Sequence, residues 1–459
     1  MITPAPGSTV APAEEALPPP EAPLPPTPWS WRIGIAVAIG LVGLLAYLLH
    51  GSLGSRFQAG MGILCFLGLA AFFSKSLQSV SLKTLFWGIG LQFLLAVAVI
   101  HSPQVRYVFE GVGKGIKALI TASDKGADFV FGSLSHVDGP SGFVFAFKAL
   151  PPILFVSSFF SVLYYFGILQ FFVRIMARAM MYLMGTSGAE TLSVSANVFM
   201  GQTEAPLIVK PFVPRMTRSE LLALMGSGMA HISGGMMAIY ISYGADPVSI
   251  LTTCVMACPC SLYLTKLLLP ESAKPVTAGA APITVESMYV NAVDAAATGV
   301  KDGLWLALNV AAMLIAFIAF IALFDIILDG IWNGMKLETI FGWVFSPVAF
   351  LIGVDPSECG KVGTLLGIKL AANEHVAYLT LAGKLEGTAH YKELSERSRL
   401  LAVYALTGFA NFASVGIQLG GIGSIAPGRR ADLAKLGMKA LFVGFLATLI
   451  NAAVAGLLM

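Results

Sequence analysis

The stretch Asn197-Val-Phe-Met-Gly-Gln-Thr-Glu-Ala-Pro-Leu207 gathers Asn197, Gln202, Thr203 and Glu204 inside an otherwise apolar region. A carboxylate in hydrocarbon is costly unless it is paired or solvated, so an ionisable residue there is by default a functional one. Gly201 frees the backbone and Pro206 stops a helix, which is what the tip of a hairpin requires. The run therefore reads as the tip of a re-entrant hairpin, about 189–213, and not as part of a lipid-facing helix. A hydrogen-bonded knot that only holds the hairpin is the plainer role. Four converging polar side chains favour a binding site.

Outward from this tip the composition is that of a membrane protein. The chain has 459 residues, 56% hydrophobic and 12% charged, with a mean hydropathy of +0.80. That is about half the charged share of an ordinary soluble protein, too little to cover a soluble body. The formal net charge of +3, from 28 basic and 25 acidic residues, is no excess of the kind that holds nucleic acid. Cys65, Cys254, Cys258, Cys260 and Cys359 lie in or beside apolar runs, so no disulfide framework is expected.

Nine apolar runs are long enough to cross roughly 30 Å of hydrocarbon. They are about 31–50, 57–73, 83–101, 144–171, 219–243, 248–269, 303–328, 398–418 and 436–458. Residues 1–30 are proline-rich, with Glu14, Glu15 and Glu21 and no basic residue before Arg32, and read as a disordered tail without a signal-peptide pattern. The stretch 104–140 is interrupted by Arg106, Glu110, Lys114, Lys117, Asp124, Lys125 and Asp128, and is expected to lie along the membrane surface as amphipathic helices. Basic residues fall in loops at Lys75 and Lys83, Arg174 and Arg178, Arg215 and Arg218, and in a cluster from Arg429 to Lys439. The excess of positive charge on the inner side puts these loops and the tail in the cytoplasm and the C-terminus outside. The segment 384–399 is the exception, with Lys384, Lys392, Arg397 and Arg399 balanced by Glu386, Glu393 and Glu396.

A second interrupted region, about 356–385, contains Ala372-Asn-Glu-His-Val-Ala-Tyr378 and again sets a carboxylate beside an amide. Paired interruptions in the two halves of a chain point to re-entrant hairpins around a midplane site, where irregular backbone must be covered by protein or face a wet cavity. A third polar point, Gly408-Phe-Ala-Asn-Phe-Ala-Ser414, lies in the penultimate span, with Asn411 and Ser414 on one helix face. Two carboxylates, amides and hydroxyls around one cavity suit a neutral polyol carrying a heteroatom ring. A phosphorylated substrate would call for arginines, and none is present there.

These segments resemble the concentrative nucleoside transporters. The string GQTEAPLIVKPFVPRMT is similar to that family's first hairpin, SECGKVGTLLGIKLAANEHVAY to its second, and GFANFASVGIQLGGIGSIAPGRRADLAKLG to its last two core helices. KLLLPES and NAVDAAATGVKDGLWLALNVAAMLIAF match as well, so the similarity runs from about residue 57 to the end. The resemblance implies an all-α polytopic trimer in which an elevator-type transport domain carrying both hairpins moves against a scaffold. It implies a disordered tail (1–30), an added first helix and loop (31–56), scaffold and interfacial helices (57–171), and a transport region (172–459) interleaved with a scaffold helix about 303–328. It makes Gln202, Thr203 and Glu204 nucleobase contacts, Glu374, Asn411 and Ser414 ribose contacts, and Phe409 an apolar wall. No cofactor is implied beyond a coupling ion, Na+ or H+, and the expected setting is a bacterial inner membrane.

Two positions depart from the family pattern. Sodium-coupled members hold the cation with an Asn side chain, a hydroxyl and backbone carbonyls; Asn197, Met200 and Ile232 match, but the hydroxyl position holds His231. Hard cations prefer oxygen, whereas an imidazole with an ordinary pKa near ~6.5 carries protons, so the balance tips to H+ over Na+. Met236 replaces a smaller aliphatic and His375 an aromatic, which should reshape the base pocket. Cys258-Pro259-Cys260 is reminiscent of soft-metal transport, but no loop is long enough for a nucleotide domain. An intramembrane metalloenzyme lacks the HExxH spacing. A nucleoside-binding sensor or transport-dead relative is the remaining alternative.

Overall fold

The structure, a computed structural model, describes residues 18–136, 144–148, 150–279, 289–385 and 387–459. Most of the expected tail, residues 137–140 of the surface stretch and Glu386 lie outside the described residues. Among the described residues every regular element is a helix. The first, α1 (Trp29–Phe72), has 44 residues and as a straight rod would measure about 66 Å. Its ends nevertheless meet: Thr27 N–H donates to Lys75 O at 3.1 Å, and Thr27 Oγ1 to Ser74 O at 2.9 Å. The reversal is at Gly54, with φ +77° and ψ −179°, a conformation essentially reserved for glycine. The two arms are the expected spans 31–50 and 57–73, and the loop between them has shrunk to a turn.

Next come α2 (Leu82–His101), as expected, and α3 (Pro103–Phe131), one helix over most of the charged stretch. They are followed by α4 (Phe145–Lys148), α5 (Pro151–Tyr165) and α6 (Ile168–Met184). Here the reading of 144–171 as one span is corrected. Gly167, at φ +78°, ends α5, and Arg174 and Arg178 sit on helix α6 instead of in a loop. Apolar residues continue across the break, so hydropathy could not register it.

The central elements are α7 (Gly188–Ala196), α8 (Ala205–Ile208), α9 (Arg218–Ala230), α10 (Gly234–Ser242), α11 (Pro247–Leu268) and the 40-residue α12 (Ala292–Ile331), which extends the expected 303–328 at both ends. A helix not anticipated, α13 (Leu337–Leu351), follows; with 15 residues and Pro347 inside, it is too short to count as a span. It packs antiparallel to α14 (Cys359–Ala371), whose Gly363 lies against Ser346 N and whose Gly367 lies against Phe341. The chain closes with α15 (Glu374–Leu381), α16 (Glu396–Leu406), α17 (Phe412–Ile425) and α18 (Arg430–Leu458). Seven helical stretches among the described residues are long and apolar enough to cross a membrane. The folded α1 accounts for two of the nine expected crossings, and 398–418 is interrupted between α16 and α17.

The described ends of the chain lie on opposite faces. On one face, Lys75 N–H donates to Leu268 O and Ala22 N–H to Ser272 O; on the other, Arg56 donates to Met459 O and Arg397 to Gly456 O. The first hairpin is rooted on the N-terminal face. Capping boxes at Ser187 and Thr217 start α7 and α9, Ser187 Oγ donates to Glu220 Oε1 at 2.5 Å, and Lys266 pairs with Glu190 at 2.7 Å and Glu271 at 3.1 Å. The second hairpin is rooted on the C-terminal face, where Ser395 donates twice to Glu358 ahead of α14 and Arg399 donates to Leu381 O at the end of α15. The two hairpins thus enter from opposite faces and end inside the molecule.

Candidate functional site

Four interruptions of helix meet at one place: the first hairpin tip (197–204), the α9–α10 break (231–233), the second tip (372–373) and the α16–α17 break (407–411). The backbones of the first tip and of the two helix breaks bond to one another. Gly234 N–H donates to Phe199 O at 3.0 Å, and Phe409 N–H donates to His231 O at 3.1 Å. Three of the outgoing helices are capped by a side chain at the break: Ser233 takes Met236 N–H, Asn373 takes Val376 N–H, and Asn411 takes Ser414 N–H. Three positive helix ends therefore converge, which favours the carboxylate of Glu374 in the first turn of α15.

Glu374 is held at both oxygens. Asn411 Nδ2 donates to Oε2 at 2.8 Å, while Tyr240 Oη donates to Oε1 at 2.9 Å. Opposite, Gln202 Nε2 donates to Ser414 Oγ at 3.2 Å, joining the first tip to α17. Thr203 packs on α17, its methyl 3.0 Å from where a side chain on Gly421 would begin. Gln202 Oε1 and Glu204 Oε2 are buried without a hydrogen-bond partner among the described residues. Buried polar atoms are nearly always bonded, so two orphaned acceptors on one tip mark a place for donors of a ligand. A methyl group on Gly201 would displace the Glu204 carboxylate. Met236 and Phe409 are both buried beside the breaks.

The residues expected around a cation also come together. Asn197, at the C-terminal end of α7, donates its amide to Ser227 Oγ at 3.0 Å and to Ser193 O at 3.2 Å, and its Oδ1 is buried without a partner. His231, 1% exposed, has both ring nitrogens engaged. Nδ1–H donates to Ser227 O at 2.7 Å, and Nε2 faces Cys258 Sγ at 3.3 Å. Ile232 is fully buried in the α9–α10 break, and Met200 lies in the first tip, three residues on from Asn197. Cys258 and Cys260 do not converge: the first turns to His231 and Val194 O, the second to Tyr263 Oη.

Sequence reasoning missed Tyr240, whose hydroxyl is the second hold on Glu374 and whose ring stacks on Tyr378 with centroids 4.1 Å apart and planes at 14°. A single tyrosine in an apolar run carries no local signal, and only the packing of α10 on the second hairpin gives it a role. Ser227 and Cys258 were likewise invisible as partners of Asn197 and His231. His375, expected to shape the base pocket, bonds through Nε2 to Tyr243 Oη at 3.0 Å.

Comparison with known proteins agrees with this geometry. Family models described as the N-terminus and C-terminus of Na+ dependent nucleoside transporters match residues 61–134 and 249–456, and one described as a nucleoside-recognition gate matches 146–247. An uncharacterized transporter of Haemophilus influenzae is 40% identical over 403 residues, covering 86% of this chain and 96% of that protein. Sodium/nucleoside cotransporter 1 of Mus musculus is 39% identical, covering 93% of this chain and 67% of its own. A solved structure of CNTnw in an inward-facing substrate-bound state superposes with a TM-score of 0.81 at 36% identity, covering 88% of this chain and 98% of that one. An outward-facing CNTnw variant superposes with a TM-score of 0.82. With apolar helices of membrane-crossing length, two opposed hairpins and matches over nearly its whole described length, the chain belongs to the Na+ dependent nucleoside transporter family of multi-pass, cation-coupled membrane carriers.

Proposed function

We propose that this carrier imports uridine-like nucleosides across a bacterial inner membrane by symport with protons, as a homotrimer with its tail in the cytoplasm. The nucleoside reading rests on one observation: a doubly held carboxylate, Glu374, shares a site with two orphaned acceptors, Gln202 Oε1 and Glu204 Oε2. Ribose hydroxyls donate to Glu374 and accept around Asn411 and Ser414, while N–H groups of the base satisfy the orphaned oxygens with Thr203 beside them. Phe409 and Met236 line the apolar side of the ring. An empty site leaves several buried acceptors without donors, each costing ~1–3 kcal/mol. Loading removes that cost, so the transport region (172–459) crosses readily against the scaffold (57–171 with the helix about 303–328) only when both solutes are bound.

The proton is assigned to His231. Its two ring partners, a carbonyl and a thiol sulfur, both accept, so the imidazolium formed on loading keeps both N–H groups bonded. Sodium is the second reading, favoured by the orphaned Asn197 Oδ1 with the Ser227 hydroxyl beside it, an oxygen set that suits a hard cation alongside Met200 and Ile232. Labelled uridine uptake into proteoliposomes separates the two, with an imposed pH or sodium gradient and His231→Ser alongside. Accumulation driven by external acid, lost in the variant, is the expected result. Accumulation driven by sodium overturns the proton assignment, and binding without uptake in either gradient turns the reading toward a sensor.

A further inference from the structure

Lys369 has no place in the site described above. It sits in the last turns of α14, fully buried, with no carboxylate at ion-pair distance among the described residues. Its Nζ donates to Ala405 O at 2.7 Å and to Thr448 Oγ1 at 2.9 Å, and lies 5.5 Å from the centroid of the Phe445 ring. The Ala405 carbonyl belongs to the last turn of α16. In a continuous helix it would take the N–H of Phe409, but that N–H is given to His231 O across the site. The interruption thus leaves a carbonyl at the negative end of a half-helix, deep in the protein, and Lys369 takes it. Half-helix C-termini in transporters of this kind are where mobile cations are coordinated. Here a carbonyl, a hydroxyl and an aromatic face surround an ammonium that is part of the chain.

We propose that Lys369 is a tethered cation: its ammonium fills the C-terminal end of α16 as a bound monovalent ion would, and so positions the ribose-binding side of the site. Lys369 precedes Glu374 in the second hairpin, and Ala405 precedes Asn411 in the broken helix, so this contact, together with Tyr378 Oη on Val403 O and Thr407 Oγ1, ties the two elements whose side chains meet at the Glu374–Asn411 bond. Lys369 is a positioning residue, acting through Glu374 and Asn411, and the inference rests on the reading of those two as ribose contacts. The test is uridine binding and uptake by the purified full-length carrier in nanodiscs and proteoliposomes, with wild type and Glu374→Gln measured alongside. Lys369→Met is expected to weaken uridine binding by about tenfold or more, the loss of a buried charge-assisted contact. Lys369→Ala, which leaves room at the site, is expected to regain binding or folded yield when methylammonium is supplied, and not with the bulkier tetramethylammonium. A folded Lys369→Met that binds within about twofold of wild type overturns the proposal. So does a Lys369→Ala that methylammonium fails to restore in either binding or yield, because the side chain would then serve only as filling. Near-normal uptake by Glu374→Gln would instead refute the ribose assignment itself.

Discussion

Replacing Tyr240 with phenylalanine isolates one contact of the site. The ring remains stacked on Tyr378, so no cavity opens, and only the hydroxyl that donates to Glu374 Oε1 at 2.9 Å is lost. A hydrogen bond to a charged group contributes about 1.5–3 kcal/mol, and each 1.4 kcal/mol is about tenfold in affinity. Asn411 still holds Oε2, so the carboxylate stays in the site but is free to turn about that single anchor. The expected outcome is a rise in uridine KM of about 10- to 100-fold with a smaller change in maximal rate. If Glu374 meets the ribose, the penalty must shrink for the deoxynucleoside that lacks the hydroxyl it contacts. Initial rates of labelled uridine, 2′-deoxyuridine and 3′-deoxyuridine uptake into proteoliposomes supply all three numbers. A KM within about twofold of wild type for every substrate, in a protein of unchanged melting temperature, would show that the Tyr240 hydroxyl does not orient Glu374 for binding.

Two further substitutions test the geometry elsewhere. Gly201→Ala drives a methyl group into the Glu204 carboxylate, so uptake should fall by about tenfold or more while the trace on size exclusion stays that of wild type; undiminished uptake would mean that the tip relaxes without consequence. Gly54→Ala meets no neighbouring atom, yet forces an L-residue into φ +77°, ψ −179°, at a cost of about 1–3 kcal/mol. It should lower the melting temperature without altering the KM for uridine, and an unshifted melting curve would contradict the folded-back arrangement of α1.

Both hairpins were legible because their tips break the local pattern. A carboxylate and amides between apolar residues, flanked by Gly201 and Pro206 or set in Asn373-Glu374, have no place facing lipid, whatever the rest of the chain does. The two arms of α1 were legible for the opposite reason: each is an unbroken apolar run long enough to cross hydrocarbon. Gly167 and α13 escaped notice because hydropathy averages over a window. One glycine among phenylalanines and tyrosines does not lower it, and a 15-residue helix with Pro347 inside does not reach the required length.

Composition and the positions of polar residues in apolar runs thus determine that the chain is a bundle of membrane helices with two interrupted regions, since a charge facing hydrocarbon is costly wherever it stands in the chain. Which groups face one another is decided by contacts between residues far apart in the chain. Tyr240 reaches Glu374, Gln202 reaches Ser414, Lys369 reaches Ala405, and Phe409 hands its N–H to His231, each across a gap that no local periodicity encodes. The reason is that a hydrogen bond requires two atoms within about 3 Å, and only the packing of α10, α14, α16 and α17 around the two tips sets those distances.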